Sequence, residues 1–365
     1  MKNRIVAMLL ALVMCVGLTA CSTAGTPPQT SADPAPAATP AATPAPTPEA
    51  APEPTPEPVT VRFGCLSGPT GVGAVKLMAD AEAGTTVNDY ELTIAAENTE
   101  IAGKLTSGEI DIACMASNMA ANLYNKTQGG IQALCLSTLG VLYILERGEK
   151  GFTPTVASMA DLKGKTVYAN GQGANPEYVL DYLLSANGVD PDKDVEIVWK
   201  ATGPEVQAAL LTGDAQYAML PMPVAAAAQI QSRQTEDREV KSVLSLTEEW
   251  NKVTEESVLT MTTVVVRTQF AQEHPEAVAA FLQEYAASIE YVNTNVEEAS
   301  LLVEQFGIVG KAAIAKQAIP ACNLVYIDGE DMKKQITGYY EVLYNANPAA
   351  VGGAVPDDGF YYALS

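Results

Sequence analysis

The sequence predicts an α/β fold of two similar lobes, each a mostly parallel sheet flanked by helices. The first observation behind it is alternation. Strand-like runs at Val59–Cys65, Glu91–Ala96, Ile110–Met115, Ile131–Leu136 and Val141–Glu146 are separated in several places by helical runs such as Gly73–Asp80 and Asn118–Lys126, and the pattern restarts at Thr166. Such alternation reads as successive βαβ units. The second observation is an internal echo. "LTSGEIDIACMASNMAA" (105–121) aligns with "LLTGDAQYAMLPMPVAA" (210–226), so that Gly108-Glu109 matches Gly213-Asp214 and Ala113 matches Ala218. Upstream of each copy lies a strand, a Gly loop and a helix: "FGCLSGPTGVGAV" (63–75) and "VYANGQGANPEYV" (167–179).

The elements follow in chain order. Residues 1–20 read as a leader: Lys2 and Arg4 precede an apolar run from Ile5 to Leu18, too short and wrongly flanked for an ordinary transmembrane helix. The run closes on Leu18-Thr19-Ala20-Cys21, which resembles a bacterial lipobox, with Cys21 as the acylated residue. Residues 21–58 carry that cysteine and a Pro/Ala/Thr tether holding 12 of the 23 prolines. The tether has no apolar periodicity and cannot bury a core, and its prolines favour extended polyproline II. It reads as a disordered spacer that lifts a folded part off a membrane surface. From Val59 onward the chain is long enough for one large or two medium domains with a real core. Its last third is mainly helical, and in Pro275–Asn293 the residues Val278, Phe281, Tyr285, Ile289 and Val292 form one apolar stripe.

Charge narrows the partners. The chain has 21 Lys+Arg against 43 Asp+Glu, a formal net charge of −22, and the leader carries two of the basic residues and none of the acidic ones. A surface this acidic repels polyanions, so nucleic acid is not an expected partner. Beyond the leader and Cys21 the cysteines are Cys65, Cys114, Cys135 and Cys322. Three lie in apolar strand-like runs, where a free thiol behaves as a small hydrophobe, and none has metal-ligand spacing. A disulfide among the four stays open at this point. No metal or cofactor is expected. The one histidine, His274, precedes Pro275 at a helix start and reads as a boundary residue.

"SGPTGVGAVKLM" (67–78) has the glycine spacing of a nucleotide-binding P-loop at Gly68 and Gly73. Ala74 then stands where a Lys must reach the phosphates, and Val75 where a hydroxyl must hold Mg²⁺. Lys76 comes two residues late, about 200° around a helix. What remains is a Gly-rich strand-to-helix turn with exposed backbone N–H groups.

Several blocks together resemble the substrate-binding proteins of ABC importers, of the nitrate/sulfonate/taurine and thiamine-pyrimidine type: "GPTGVGAVKLM", "LTSGEIDIACM", "MADLKGKTVYANGQGANPEYVLDYLL" (159–184), "VQAALLTGDAQYAMLPMPVAAA" (206–227) and "HPEAVAAFLQEYAASIEYVNTN" (274–295). The resemblance covers nearly all of 59–365. It implies a type II periplasmic-binding-protein-like fold, with lobe one at 59–147 plus 255–365, lobe two at 148–254, and a ligand cleft between them. Leu142–Glu146 and Thr262–Arg267 are the strands expected at the hinges. It further implies a lipid-anchored monomer on the extracytoplasmic face of a bacterial membrane that hands a small molecule to an ABC permease.

In open α/β sheets a ligand sits beyond the carboxyl ends of the strands. Four loops are then expected to line the cleft, contributing Ser67, Pro69, Thr70 and Gly71; Ser117 and Asn118; Gly171, Gly173, Ala174 and Asn175; and Pro221 with Met222. Gly-rich turns before helices offer backbone N–H groups and about half a positive charge at the helix start. No Arg falls in these loops, which favours a neutral or zwitterionic organic ligand over an inorganic oxyanion. Tyr168 and Trp199 read as core or hinge packing rather than ring-stacking platforms. Two other functional classes compare with this reading. A surface sensor would use the same cleft. An enzyme related to the pyrimidine synthases that resemble these binding proteins would need a His-rich, Cys-containing iron motif, which one histidine cannot supply, and no Ser or Cys has a His partner to act as base. No catalytic residue is assigned.

Overall fold

The alternating pattern folds into two sheets. The computed structural model describes residues 58–363; the leader, Cys21 and all but the last residue of the tether lie outside them. The first stretch supplies β1 (Thr60–Leu66), α1 (Pro69–Val72), α2 (Val75–Glu82), β2 (Asp89–Ala95), α3 (Asn98–Ser107), β3 (Ile112–Ala116), α4 (Ser117–Thr127) and β4 (Ile131–Leu139). The second supplies β5 (Leu142–Glu149), β6 (Thr166–Asn170), α5 (Asn175–Ala186), β7 (Glu196–Lys200), α6 (Gly203–Thr212), β8 (Tyr217–Pro221), α7 (Val224–Ser232), β9 (Arg238–Ser245) and α8 (Leu246–Val253). The last runs β10 (Thr260–Arg267), α9 (Thr268–Glu273), α10 (Pro275–Thr294), α11 (Val296–Gln305), α12 (Ala312–Ala318), β11 (Leu324–Asp328) and α13 (Gly329–Ala346).

The strand orders are β11-β4-β10-β3-β1-β2 and β7-β6-β8-β5-β9. β1 pairs parallel with β2 and β3, and β6 with β7 and β8. β10 instead runs antiparallel between β3 and β4, β11 antiparallel to β4, and β5 antiparallel between β8 and β9. The expectation of mostly parallel sheets is therefore corrected: both are mixed. The physical reason is connectivity. β5 follows β4 of the first sheet and β10 follows β9 of the second, and a strand arriving from the other sheet enters its new sheet reversed.

The echo seen in sequence is a structural duplication. Removing the edge strand β11 leaves β2-β1-β3-β10-β4 beside β7-β6-β8-β5-β9, the same order with the incoming strand in the same slot. The match extends to single hydrogen bonds. The Arg267 N–H donates to the Asp111 carbonyl at 2.9 Å, and the Arg147 N–H to the Gln216 carbonyl at 2.8 Å, each just after its Gly-acid turn.

Packing fixes the layers. The stripe predicted on α10 is buried throughout. Its Phe281 and Tyr285 stack at 5.4 Å between centroids, and Phe63 of β1 meets Phe281 at 5.4 Å. Burial of each such ring contributes about 1.5–3 kcal/mol. Trp250 of α8 is fully buried, 4.8 Å from Tyr182 of α5 and 6.1 Å from Tyr339 of α13, and its indole N–H donates to Ser257. Cys65, Cys114, Cys135 and Cys322 are free and buried. Burial pushes the Cys114 and Cys322 thiols up to about 12, far from a reactive thiolate. His274 sits between α9 and α10 with its ring 5.0 Å from Phe270, a boundary residue. Trp199 and Tyr168 are half-buried, packed against the core. Among the described residues no helix is long and apolar enough to cross a membrane.

Candidate functional site

Each sheet reverses its winding at one point. From β1 the chain passes over one face through α2 to β2, then returns over the other face through α3 to β3 on the far side of β1; α2 and α3 belong to different apolar clusters. The same holds for β6, α5, β7, α6 and β8. A reversal of this kind opens a crevice at the carboxyl ends of the two diverging strands. Those ends are Leu66, Ala116, Asn170 and Pro221. All twelve residues expected to contact a ligand lie at or directly after them.

Their surroundings differ. Ser67 is exposed and Pro69 half-buried, whereas Thr70 and Gly71 are buried. Gly71 is required by close approach: a Cβ there would stand 2.4 Å from the Leu66 carbonyl oxygen and 2.8 Å from Ile308 Cδ1. The loop is pinned by the Gly68 N–H, which donates to the Ile308 carbonyl at 2.8 Å. Ser117 opens α4 and is only 1% exposed. Its hydroxyl accepts from Thr263 at 2.9 Å and lies 3.2 Å from that of Thr260. Asn118 is half-buried. Pro221 is half-buried and Met222 is buried in the core, its N–H donating to the Val141 carbonyl at 3.0 Å.

In the fourth loop Gly173 and Ala174 are exposed, and Gly171 and Asn175 half-buried. The Gly173 N–H does not wait for a ligand. It donates to the Glu177 carboxylate at 2.5 Å, while Tyr178 donates its hydroxyl proton to the Gly173 carbonyl at 2.8 Å. Glu177 lies in the first turn of α5 and satisfies the loop from within, as a capping-box acid does. The helix start is thereby neutralised by the chain's own carboxylate.

Two residues that sequence reasoning missed join the loops. Tyr340 of α13 donates its hydroxyl to the Ser117 carbonyl at 3.0 Å, and its neighbour Tyr339 donates to Asn175 Oδ1 at 2.9 Å. Consecutive residues of one helix thus touch a strand-end loop of each sheet. A second bridge runs from Asn347 Nδ2 to the Tyr178 hydroxyl at 2.8 Å. The only prior signal was "GYYEVLY" (338–344), whose tyrosines read as ordinary helix packing. On the opposite side Gln317 of α12 donates to Gln229 of α7 at 2.6 Å.

The strongest charge cluster lies at the far end of the first sheet. Asp111, next to the start of β3, accepts from Arg62 Nε and Nη2 at 2.7 and 2.6 Å and from Arg267 Nη2 at 2.7 Å. Burial pushes its carboxyl up, but the hydrogen bonds from Arg62 and Arg267 outweigh that and hold it below the usual carboxylate range. Among the described residues no group of three or more His, Cys, Asp or Glu side chains gathers as a metal site.

Paired switch points, bridged by one helix across two mixed sheets, define a two-lobed binding-protein fold. Residues 153–299 match the family model described as NMT1/THI5 like. Three solved structures share the fold. An ABC transporter structure from Parabacteroides distasonis aligns with TM-score 0.69 at 21% identity, over 84% of this chain and 100% of that one. The periplasmic aliphatic sulphonate binding protein SsuA from Escherichia coli gives 0.62 at 14%, over 85% and 94%. The ligand binding component of an ABC-type import system from Staphylococcus aureus, solved with zinc bound, gives 0.57 at 15%, over 83% and 96%. At such identities the likeness establishes the fold, and a fold that serves both a sulphonate and a zinc-bound protein does not name a ligand. No curated protein matches the chain in sequence.

Proposed function

We propose that this chain is an extracytoplasmic solute-binding lipoprotein. It takes a small organic molecule between the strand-end loops and delivers it to an ABC import permease. The observation that carries the reading is the α13 bridge: Tyr340 on Ser117 and Tyr339 on Asn175 bring the two switch-point loops to adjacent residues of one helix. The NMT1/THI5-like segment and the neighbours' fold support binding over catalysis. The leader and tether support an anchor at Cys21. The ligand class is a neutral or zwitterionic organic molecule, because none of the four loops carries Arg and Glu177 already caps the α5 end.

A thermal-shift and calorimetric screen tests this with taurine, nitrate and an aminopyrimidine. At a hundredfold excess over Kd a true ligand stabilises by about 2.7 kcal/mol. The expected result is stabilisation by an organic member of the set, with a smaller radius of gyration in solution scattering. Stabilisation by nitrate alone would reject the ligand class, and catalytic turnover of a binding compound would reject the binding-protein reading. Cys21→Ser is expected to release the protein from the membrane fraction.

A further inference from the structure

The end of the first sheet carries two hydroxyls that the fold does not use. Thr138 on β4 faces Thr262 on β10, and Thr262 faces Ala116 on β3, the residue before Ser117. The β1–β3 register pairs Gly64 with Ala113, and continuing it places Ser67 beside Ala116. Thr138, Thr262, Ala116 and Ser67 therefore form one row across the strand ends that open the crevice. Thr138 and Thr262 are 1% and 0% exposed, and among the described residues neither hydroxyl has a hydrogen-bond partner. Ser137, beside Thr138 in β4, is likewise unpartnered, whereas Thr260, Thr263 and Ser117 bond among themselves.

A buried hydroxyl without a partner is destabilising, and nearly all buried polar groups in proteins are paired. The fold has an easy alternative here. β10 continues as Val264, Val265 and Val266, and valine matches threonine in shape and strand preference. Threonine at 138 and 262 thus costs stability at the one row that borders the crevice.

We propose that Thr138 and Thr262 are ligand-recognition residues, whose hydroxyls donate to an oxygen or ring-nitrogen acceptor on the organic molecule. Recognition through neutral donors needs no charge on that group. This inference rests on the crevice being the binding site and extends it from the loops to the strand floor.

The test uses Thr138→Val, Thr262→Val and Thr262→Ser in the full chain, with taurine and 4-amino-2-methylpyrimidine as probes. In the free protein each valine variant is expected to melt about 2 °C higher, because the unpartnered hydroxyl is gone. For a probe that binds the wild type, each valine variant is expected to lose about tenfold in affinity, while Thr262→Ser retains most of it. Valine variants that bind as tightly as wild type, or that melt below it, overturn the proposal. Failure of both probes on the wild type counts against the binding-site reading itself. The melting comparison still decides this inference, since valine variants that are no more stable show the hydroxyls to be partnered in the free protein.

Discussion

Replacing Asp111 with Asn removes the charge that holds two arginines and keeps the shape. Asp111 is 1% exposed, and the side chains of Arg267 and Arg62 are 18% and 36% exposed. Breaking a buried pair from one side costs roughly 3–5 kcal/mol because the remaining charge is left uncompensated. Arg62 lies over a third in solvent, which screens its share, so the expected loss is ~2–3 kcal/mol. In a chain of this size that lowers Tm by roughly 3–5 °C. The sign with pH follows from the lowered pKa of Asp111. Its stabilisation is full above the ordinary carboxylate range and is lost as pH falls through its own lower value. Urea melts of wild type and Asp111→Asn therefore separate widely at pH 7, and the gap narrows as pH falls below the ordinary carboxylate range. The duplicated sheet supplies the control. Arg147 occupies the place of Arg267, but Gln216 stands where Asp111 does, and among the described residues Arg147 has no carboxylate partner. Arg267→Gln is expected to cost about as much as Asp111→Asn, and Arg147→Gln under about 0.5 kcal/mol. Equal stability of Asp111→Asn and wild type at pH 7, or a gap at pH 3 no smaller than at pH 7, would refute the reasoning.

Gly71→Ala forces a Cβ against the Leu66 carbonyl and Ile308, so a loss of about 1–3 kcal/mol in a denaturant melt is expected, together with a displaced Ser67–Gly71 loop. Tyr339→Phe removes the hydrogen bond to Asn175 and is expected to cost about 0.5–1.5 kcal/mol without disturbing the ring packing on Trp250. Asp181 on α5 has its carboxyl pushed up to about 6, by burial first and then by Glu177 and Asp192. The folded state holds that proton more tightly, so stability is full at low pH and falls as pH rises through about 6. Asp181→Asn is expected to be more stable than wild type at pH 8 by roughly 1 kcal/mol, after allowance for solvent screening, and equal to it near pH 3.

Local signals carried much of the fold. The matched turns at Gly108 and Gly213 located β3 and β8, and the strand-to-helix glycines located the loops that follow β1 and β6. Strand direction was not legible. It depends on which distant partner a strand meets, and the apolar runs at β5 and β10 read the same whether they pair parallel or antiparallel. The Asp111 cluster was hidden for the same reason, because Arg62 and Arg267 lie 49 and 156 residues from it. Nothing local to Tyr339 and Tyr340 marks them out, and only the course of α13 gives their hydroxyls partners on two different sheets. Glu177 is a different kind of miss. A glutamate four residues after Gly173 at a helix start is a local capping pattern, and it was readable before any coordinates.

The exchange of strands between the sheets also explains why the row of unused threonines sits where it does. The two chain crossings, β4 to β5 and β9 through α8 to β10, meet at Gly140. Its N–H donates to the Leu259 carbonyl at 2.7 Å, and its carbonyl accepts from Thr247 Oγ1 and Asn323 Nδ2, each at 2.7 Å. A Cβ at Gly140 would stand 2.5 Å from Thr247 Oγ1 and 2.6 Å from Leu259 Cγ, so only glycine lets the crossings come this close. Both covalent connections between the sheets are tied together at this point. Thr138 is two residues before it on one crossing, and Thr262 is three residues past Leu259 on the other. Both lie on adjacent strands of the first sheet, so a guest bonded to both hydroxyls would sit on that sheet's side of the crevice.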